Sequence, residues 1–178
     1  MKYNTLLIFV IFAALIPITC ISNDSDQLGL YDLDNNLVSF EDFKGKYSVI
    51  AFTFTSCPSI CPMANTELNR LNEKYGDAIN IISINVDPAN DTIERINKYM
   101  NENSFQWEVL KGDMGEVEKV IGDILYYPNP ENYVVSPANH PPGLHLMDRD
   151  FVYTEKNYFP ISQDVDDLML ELDKLLLQ

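Results

Sequence analysis

Tyr47-Ser48-Val49-Ile50-Ala51-Phe52-Thr53-Phe54-Thr55-Ser56-Cys57-Pro58-Ser59-Ile60-Cys61-Pro62 is the stretch on which the fold turns. Its first nine residues are rich in β-branched and aromatic side chains with no charge, the pattern of a strand buried on both faces. Beyond it, Ile60, Ala64, Leu68, Leu71 and Tyr75 recur at helical spacing, and Gly76 stops the run. A buried strand therefore turns into a helix, and two cysteines sit at the turn.

Working outward, Ile79 to Val86 reads as a second buried strand. Asp91-Thr92-Ile93-Glu94 has the form of a capping box that opens a helix to about Met100. Trp107 to Leu110 is a short strand, and Val117, Val120, Ile121, Ile124 and Leu125 mark one face of a third helix. Residues 126–142 hold five prolines and no periodic pattern, so they form a long loop. Gly143 to Asp148 and Phe151 to Thr154 read as two strands around Arg149-Asp150, and Val165, Leu168, Met169, Leu172, Leu175 and Leu176 give a last amphipathic helix. At the other end, Leu28 to Tyr31 and Leu37-Val38 flank Asp34-Asn35-Asn36, a hairpin turn. This order is α/β with βαβ units: a central mixed β-sheet flanked by helices, with an N-terminal β-hairpin.

The chain has 178 residues, enough for one domain, which we place at residues 27–178. Lys plus Arg total 12 against 27 Asp plus Glu, a formal charge of -15. Phosphate-tracking surfaces need clustered basic residues, so no nucleic-acid partner is expected. Residues 1–26 read as a targeting segment and tether. Lys2 precedes an apolar run from Leu6 to Ile18, which is shorter than the roughly 20 residues of a spanning helix. Cys20 and a polar stretch follow. Three readings stay open: a lipoprotein signal with Cys20 as the lipid-bearing residue, an uncleaved signal anchor, and an ordinary signal peptide. Each puts the domain outside the cytoplasm, membrane-anchored in the first two cases, where thiols can oxidise.

Three cysteines and two histidines leave soft-metal or thiol chemistry few places to occur. Cys57 and Cys61 are four residues apart at a helix N-terminus, which favours a thiolate. Residues at i and i+4 of a helix share one side, so the pair can close a disulfide or offer two thiolates to one ion. A structural disulfide has no need of the strand-to-helix position.

Here the sequence resembles a known family. The run Phe52 to Pro62 looks like the signature of the Sco/SenC proteins. Ser83 to Thr92 resembles that family's strand ending in a V-D-P-x-x-D-T run, and Trp107 to Gly112 fits its W-x-x-L-x-G segment. His140 precedes Leu146-Met147-Asp148 as the family's metal histidine precedes its own strand, with Tyr133 upstream. The resemblance runs from about Leu28 to Leu176. It implies a thioredoxin-like fold and copper, as Cu(I) or Cu(II), held by Cys57, Cys61 and His140. It also implies a role in assembling the copper A centre of cytochrome c oxidase. Ser59 stands where the family often has Asp, Asn139 where an Asp usually precedes the metal histidine, and Phe151 where a turn glycine is common. His145, inside a predicted strand, is expected to be a satisfied surface or core residue and not a ligand, and Met63 is expected to pack in the core. Asp87 and Asp91 are expected to serve turn and cap geometry.

Two functions follow from the same residues. As a copper metallochaperone, the chain would pass copper by ligand exchange to the oxidase subunit that houses the copper A centre. As a thiol-disulfide reductase, Cys57 and Cys61 would be a catalytic redox pair acting on the cysteines of that site. A thiol peroxidase is disfavoured, because Thr53 lies four residues before Cys57 rather than three and no Arg adjoins it.

Overall fold

The computed structural model of the chain describes residues 27–125 and 134–177. Cys20 and Tyr133 lie outside the described residues. The chain opens with a hairpin of β1 (Gln27–Tyr31) and β2 (Leu37–Ser39). The hairpin turn falls where the sequence predicts it, but its organiser is Asp32. The Asp32 carboxylate accepts from the Asp34 and Asn36 backbone N–H groups at 2.9 and 2.7 Å and from Asn36 Nδ2 at 2.8 Å.

The body is a five-stranded mixed sheet in the order β5-β4-β3-β6-β7. Its strands are β3 (Ser48–Thr53), β4 (Asn80–Asn85), β5 (Glu108–Leu110), β6 (Leu144–Met147) and β7 (Tyr153–Tyr158). β3 runs parallel to β4 in unbroken register from Ser48 opposite Asn80 to Thr53 opposite Asn85, and antiparallel to β6. Helix α1 (Ile60–Tyr75) joins β3 to β4, α2 (Ile93–Glu102) and α3 (Met114–Leu125) flank β5, and α4 (Ser162–Leu176) closes the fold. The predicted α/β class, mixed sheet and N-terminal hairpin are all present.

Strand alternation divides the core. Val49 and Ala51 of β3, with Leu144 and Leu146 of β6, pack under α1 and α4. Ile50 and Phe52, with Met147, face α3 and the hairpin. Both layers are continuous, which is why β3 is buried along its whole length. On α4, Val165, Leu168, Met169 and Leu172 point inward while Asp166 and Asp173 reach Arg70 and Lys74 of α1. The acidic helix is therefore the solvated face that its pattern predicts.

The two sheet edges are short or broken. β5 has three residues, and the backbone beyond it is bonded to the hairpin, Tyr31 and Lys111 exchanging N–H···O bonds of 2.8 Å in both directions. β7 carries a bulge at which Glu155 has φ +60°.

Three strand boundaries differ from the sequence reading by two residues or more. β3 stops at Thr53 rather than Thr55, because the Thr55 backbone N–H leaves the ladder for the Asp91 carboxylate at 2.8 Å. The last strand runs to Tyr158 instead of Thr154; its polar Thr-Glu-Lys-Asn stretch and its bulge hide the strand pattern. Phe151, predicted to begin that strand, has φ +62°. The turn glycine's conformation is kept there by an aromatic whose ring stacks on Phe43 at 5.2 Å and packs against Phe40 at 5.8 Å.

Gly143 begins the return to the sheet from the proline-rich loop. It has φ +96°, and a Cβ there would lie 2.1 Å from Asn157 Oδ1 and 2.9 Å from the Tyr158 carbonyl oxygen. Asn157 in turn donates to the Pro142 carbonyl at 2.9 Å. Gly143→Ala should cost at least about 2 kcal/mol in urea unfolding, from left-handed strain plus overpacking. Gly122→Ala, inside α3 with no atom within 4 Å of its Cβ, is the control, expected to be neutral or stabilising. Equal stability of the two variants would contradict this account.

Candidate metal centre

After Thr53 the chain must turn from strand to helix within a few residues. Four side chains hold that turn. Asp91 is fully buried, 0% exposed. Its carboxylate accepts from the Thr55 N–H, from the Thr55 hydroxyl and from Asn85 Nδ2 at 2.7 Å. Arg95 Nε donates to Thr55 Oγ1 at 2.8 Å and lies 3.5 Å from Asp91 Oδ1. The segment after β4 and the first turn of α2 are thereby pinned to the segment that carries Cys57. The cap of α2 is not Asp91 but Thr92, whose Oγ1 accepts from the Arg95 N–H at 3.2 Å. Asp91, expected as a cap, instead anchors the cysteine turn. Asp87 keeps its expected turn role, its carbonyl accepting from the Asn90 and Asp91 N–H groups.

Cys57 lies before α1, not within it, so the two cysteines are not related as i and i+4 of one helix. They still meet, because the N–H of Cys61 in the first helical turn donates to Cys57 Sγ at 3.4 Å. Both are free thiols, Cys57 half-buried and Cys61 only 1% exposed. Their acidities diverge. Burial pushes the Cys57 thiol up, but hydrogen bonds from the Cys61 thiol, the Ser59 and Cys61 backbone and the Ser59 hydroxyl outweigh it and hold the group below its ordinary value. Burial pushes Cys61 up to about 12, helped by its hydrogen bond to Cys57. Cys57 is therefore the more acidic and more exposed of the two thiols, and Cys61 the one held protonated. An Asp in place of Ser59 would set a negative charge beside the Cys57 sulfur; the serine supplies a donor.

Cys57 and His140 line one open cleft of about 480 Å³, together with Phe54, Ile60, Pro137 and Pro142. The His140 ring stands edge-on to Phe54 at 6.2 Å, and its Nδ1 lies 3.3 Å from the Pro141 carbonyl. Burial lowers its pKa, the Pro141 carbonyl working against this, so the ring is a neutral donor at neutral pH. The three predicted ligands thus come to one end of the sheet. Among the described residues, however, no three His, Cys, Asp or Glu side chains are near enough to hold one ion, so His140 stands apart from the two thiols in this arrangement. Two thiols and a neutral imidazole are a donor set that suits a soft or borderline metal.

Other expectations divide. Asn139 does not touch the imidazole; its Nδ2 donates to the Val134 carbonyl at 2.9 Å and tightens the loop, a bond no aspartate could make. Met63 is not core but 44% exposed on the first turn of α1. His145 is a core residue, but not the satisfied one expected, since neither ring nitrogen completes a hydrogen bond. Trp107 packs on Phe105 at 4.6 Å and donates to Ser83 Oγ at 2.7 Å.

At neutral pH, iodoacetamide should modify Cys57 in the folded, reduced protein and spare Cys61, as read by peptide mass mapping. Ser59→Asp should raise the Cys57 pKa and move its alkylation profile to higher pH. Preferential labelling of Cys61 would refute the assignment.

Comparison with known proteins gives this arrangement a context. The SCO1/SenC family model matches residues 25–176. The chain is 31% identical over 145 residues to the protein sco1 of Schizosaccharomyces pombe, covering 72% of this chain and 54% of that protein, so it spans about half the length of that relative. Among solved structures, Bradyrhizobium japonicum ScoI with copper bound is similar, with a TM-score of 0.63, 28% identity and coverage of 83% of this chain and 95% of the other. A SCO1/SenC family lipoprotein from Bacillus anthracis gives 0.64 at 25% identity, covering 84% and 92%. The fold is that of the thioredoxin-like Sco structures. With the match reaching from before the hairpin to the last turn of α4, the chain belongs to the SCO1/SenC family.

Proposed function

We propose that this chain is a copper metallochaperone that binds one copper ion through Cys57, Cys61 and His140 and passes it to the copper A subunit of cytochrome c oxidase. Its family is one of copper handling in the assembly of that oxidase. The observation that carries the reading is the pairing of a lowered-pKa thiol and a neutral imidazole on one cleft, with a second free cysteine whose backbone N–H donates to the first sulfur. Copper is cargo here, so the site must release it as readily as it takes it. A half-exposed Cys57 is open to an incoming thiolate, and His140, which must move to bind, can move again to let go.

The asymmetry of the two thiols favours a second reading, thiol-disulfide exchange. The Cys57 thiolate would attack one sulfur of a target disulfide, the other leaving as a thiolate. Cys61 would then attack Cys57 Sγ in the mixed disulfide, giving a Cys57–Cys61 disulfide and the fully reduced target. His140 separates the two readings, because chelation uses it and exchange does not.

The reduced protein should bind one copper per chain, and Cys57→Ser or Cys61→Ser should each abolish tight binding. His140→Ala should bleach the thiolate charge-transfer band of copper(II) while copper(I), content with two thiolates, falls less. In cells the same variant should fail to assemble active oxidase. Near-normal oxidase with His140→Ala would favour the exchange reading instead.

We place the domain outside the cytoplasm, held to the membrane through residues 1–26. Among the described residues no helix is long and apolar enough to cross a membrane. The lipoprotein relative from Bacillus anthracis supports Cys20 as the lipid acceptor. Labelled fatty acid should then enter the wild type and not Cys20→Ala, and two chains should hold it firmly. An unlabelled protein with an intact N-terminus would point to the uncleaved anchor.

A further inference from the structure

The second histidine poses a problem of its own. His145 lies in β6, opposite Ile50 of β3 and Asn157 of β7, and is 2% exposed. Its ring stands edge-on between Phe52 and Tyr153, each 5.7 Å away. Neither ring nitrogen completes a hydrogen bond. A neutral imidazole always carries one N–H, so a buried donor is left without a partner, at a cost that native structures rarely tolerate.

The two imidazoles share a neighbour. Phe52 and Phe54 lie on the same side of the chain leaving β3, and Phe52 meets His145 as Phe54 meets His140. That shared neighbour is the carbonyl of Pro141, itself a buried residue. It lies 3.3 Å from His140 Nδ1 and influences both histidines. The next carbonyl, that of Pro142, is already taken by Asn157. Thus the Pro141 carbonyl is taken by His140, while the His145 ring lies within its reach without completing a bond to it.

His140 must leave its present position to reach the thiols, and the contact it gives up is this one. Without a replacement the Pro141 carbonyl would become the orphan. We propose that His145 is a positioning residue for His140: when His140 turns toward Cys57 and Cys61, the His145 N–H takes over the Pro141 carbonyl. The inference rests on His140 being a metal ligand. One carbonyl then has a donor in both settings of the loop, and the loop has two discrete arrangements. The metal-bound arrangement satisfies the donor that the metal-free one leaves unmet, so His145 draws the loop toward binding.

The test pairs His145→Leu, which fills similar space without a donor, with His145→Gln, which keeps one. Copper(II) affinity of the whole reduced protein should fall about 10-fold or more in His145→Leu and be largely restored in His145→Gln. The thermal midpoint of metal-free His145→Leu should stay at or above that of the wild type, because a buried orphan has been removed. A purely structural role would not lower affinity without lowering stability. Wild-type affinity in His145→Leu, or equal losses in both variants, would overturn the proposal. In the unmodified protein, zinc(II) serves as a diamagnetic probe for side-chain ¹⁵N shifts. A shift at His140 together with a hydrogen-bonded His145 N–H is expected on loading. His140 moving while His145 stays unchanged would overturn the proposal alone. Neither moving would overturn the ligand role of His140 on which it rests.

Discussion

A single buried carboxylate sets the geometry of this molecule's working end. Asp91 has no solvent to turn to, so its charge must be met from within. It is met by two donors of Thr55, by Asn85 at the end of β4 and by Arg95 in α2. Those partners belong to three successive parts of the chain. Removing any one leaves the carboxylate underpaired, which is strongly destabilising for a buried charge. The position of Cys57 therefore follows from a network whose anchor lies 34 residues further along the sequence.

That network ends the β3 ladder two residues early and so delivers the chain to α1 with Cys57 outside the helix and Cys61 inside it. The difference between the two thiols follows. One sulfur receives the Ser59 and Cys61 N–H groups and a serine hydroxyl and is the more acidic; the other is enclosed by the core and stays protonated. A symmetrical pair would hold a metal equally well but would give an incoming ligand no preferred point of attack.

Much of this was legible in the sequence because it rests on local rules. Buried strands, helical spacing and the hairpin turn are short-range patterns, and they placed β3, α1, β4 and α3 close to their observed bounds. The cysteine pair declared itself by standing where a strand becomes a helix, and His140 by resemblance of its surroundings. What was hidden depends on contacts distant in sequence. Asp91 read as a cap because it precedes a helix with Thr and Glu in the right places; only the fold brings Thr55 to it. Met63 sits among helical residues, yet its exposure depends on what covers the first turn of α1. The end of β7 is polar because it lies at an edge, and edge strands lose the alternation by which strands are recognised. The orphaned nitrogens of His145 have no signature in the sequence at all.

The edges of the sheet carry a further meaning. Three residues of β5 continued into a bond with the hairpin, and a β7 interrupted by Glu155 at φ +60°, offer no straight row of free N–H and C=O groups. Such edges disfavour both an extended peptide that docks by prolonging the sheet and two copies that zip edge to edge. In the function proposed for this chain, recognition would come end-on, at the mouth of the cleft, through the shape of its prolines and aromatics and the chemistry of two thiols and an imidazole. A partner would then be chosen by what it can exchange with sulfur rather than by how well its backbone pairs, and the encounter could end as soon as the exchange is done.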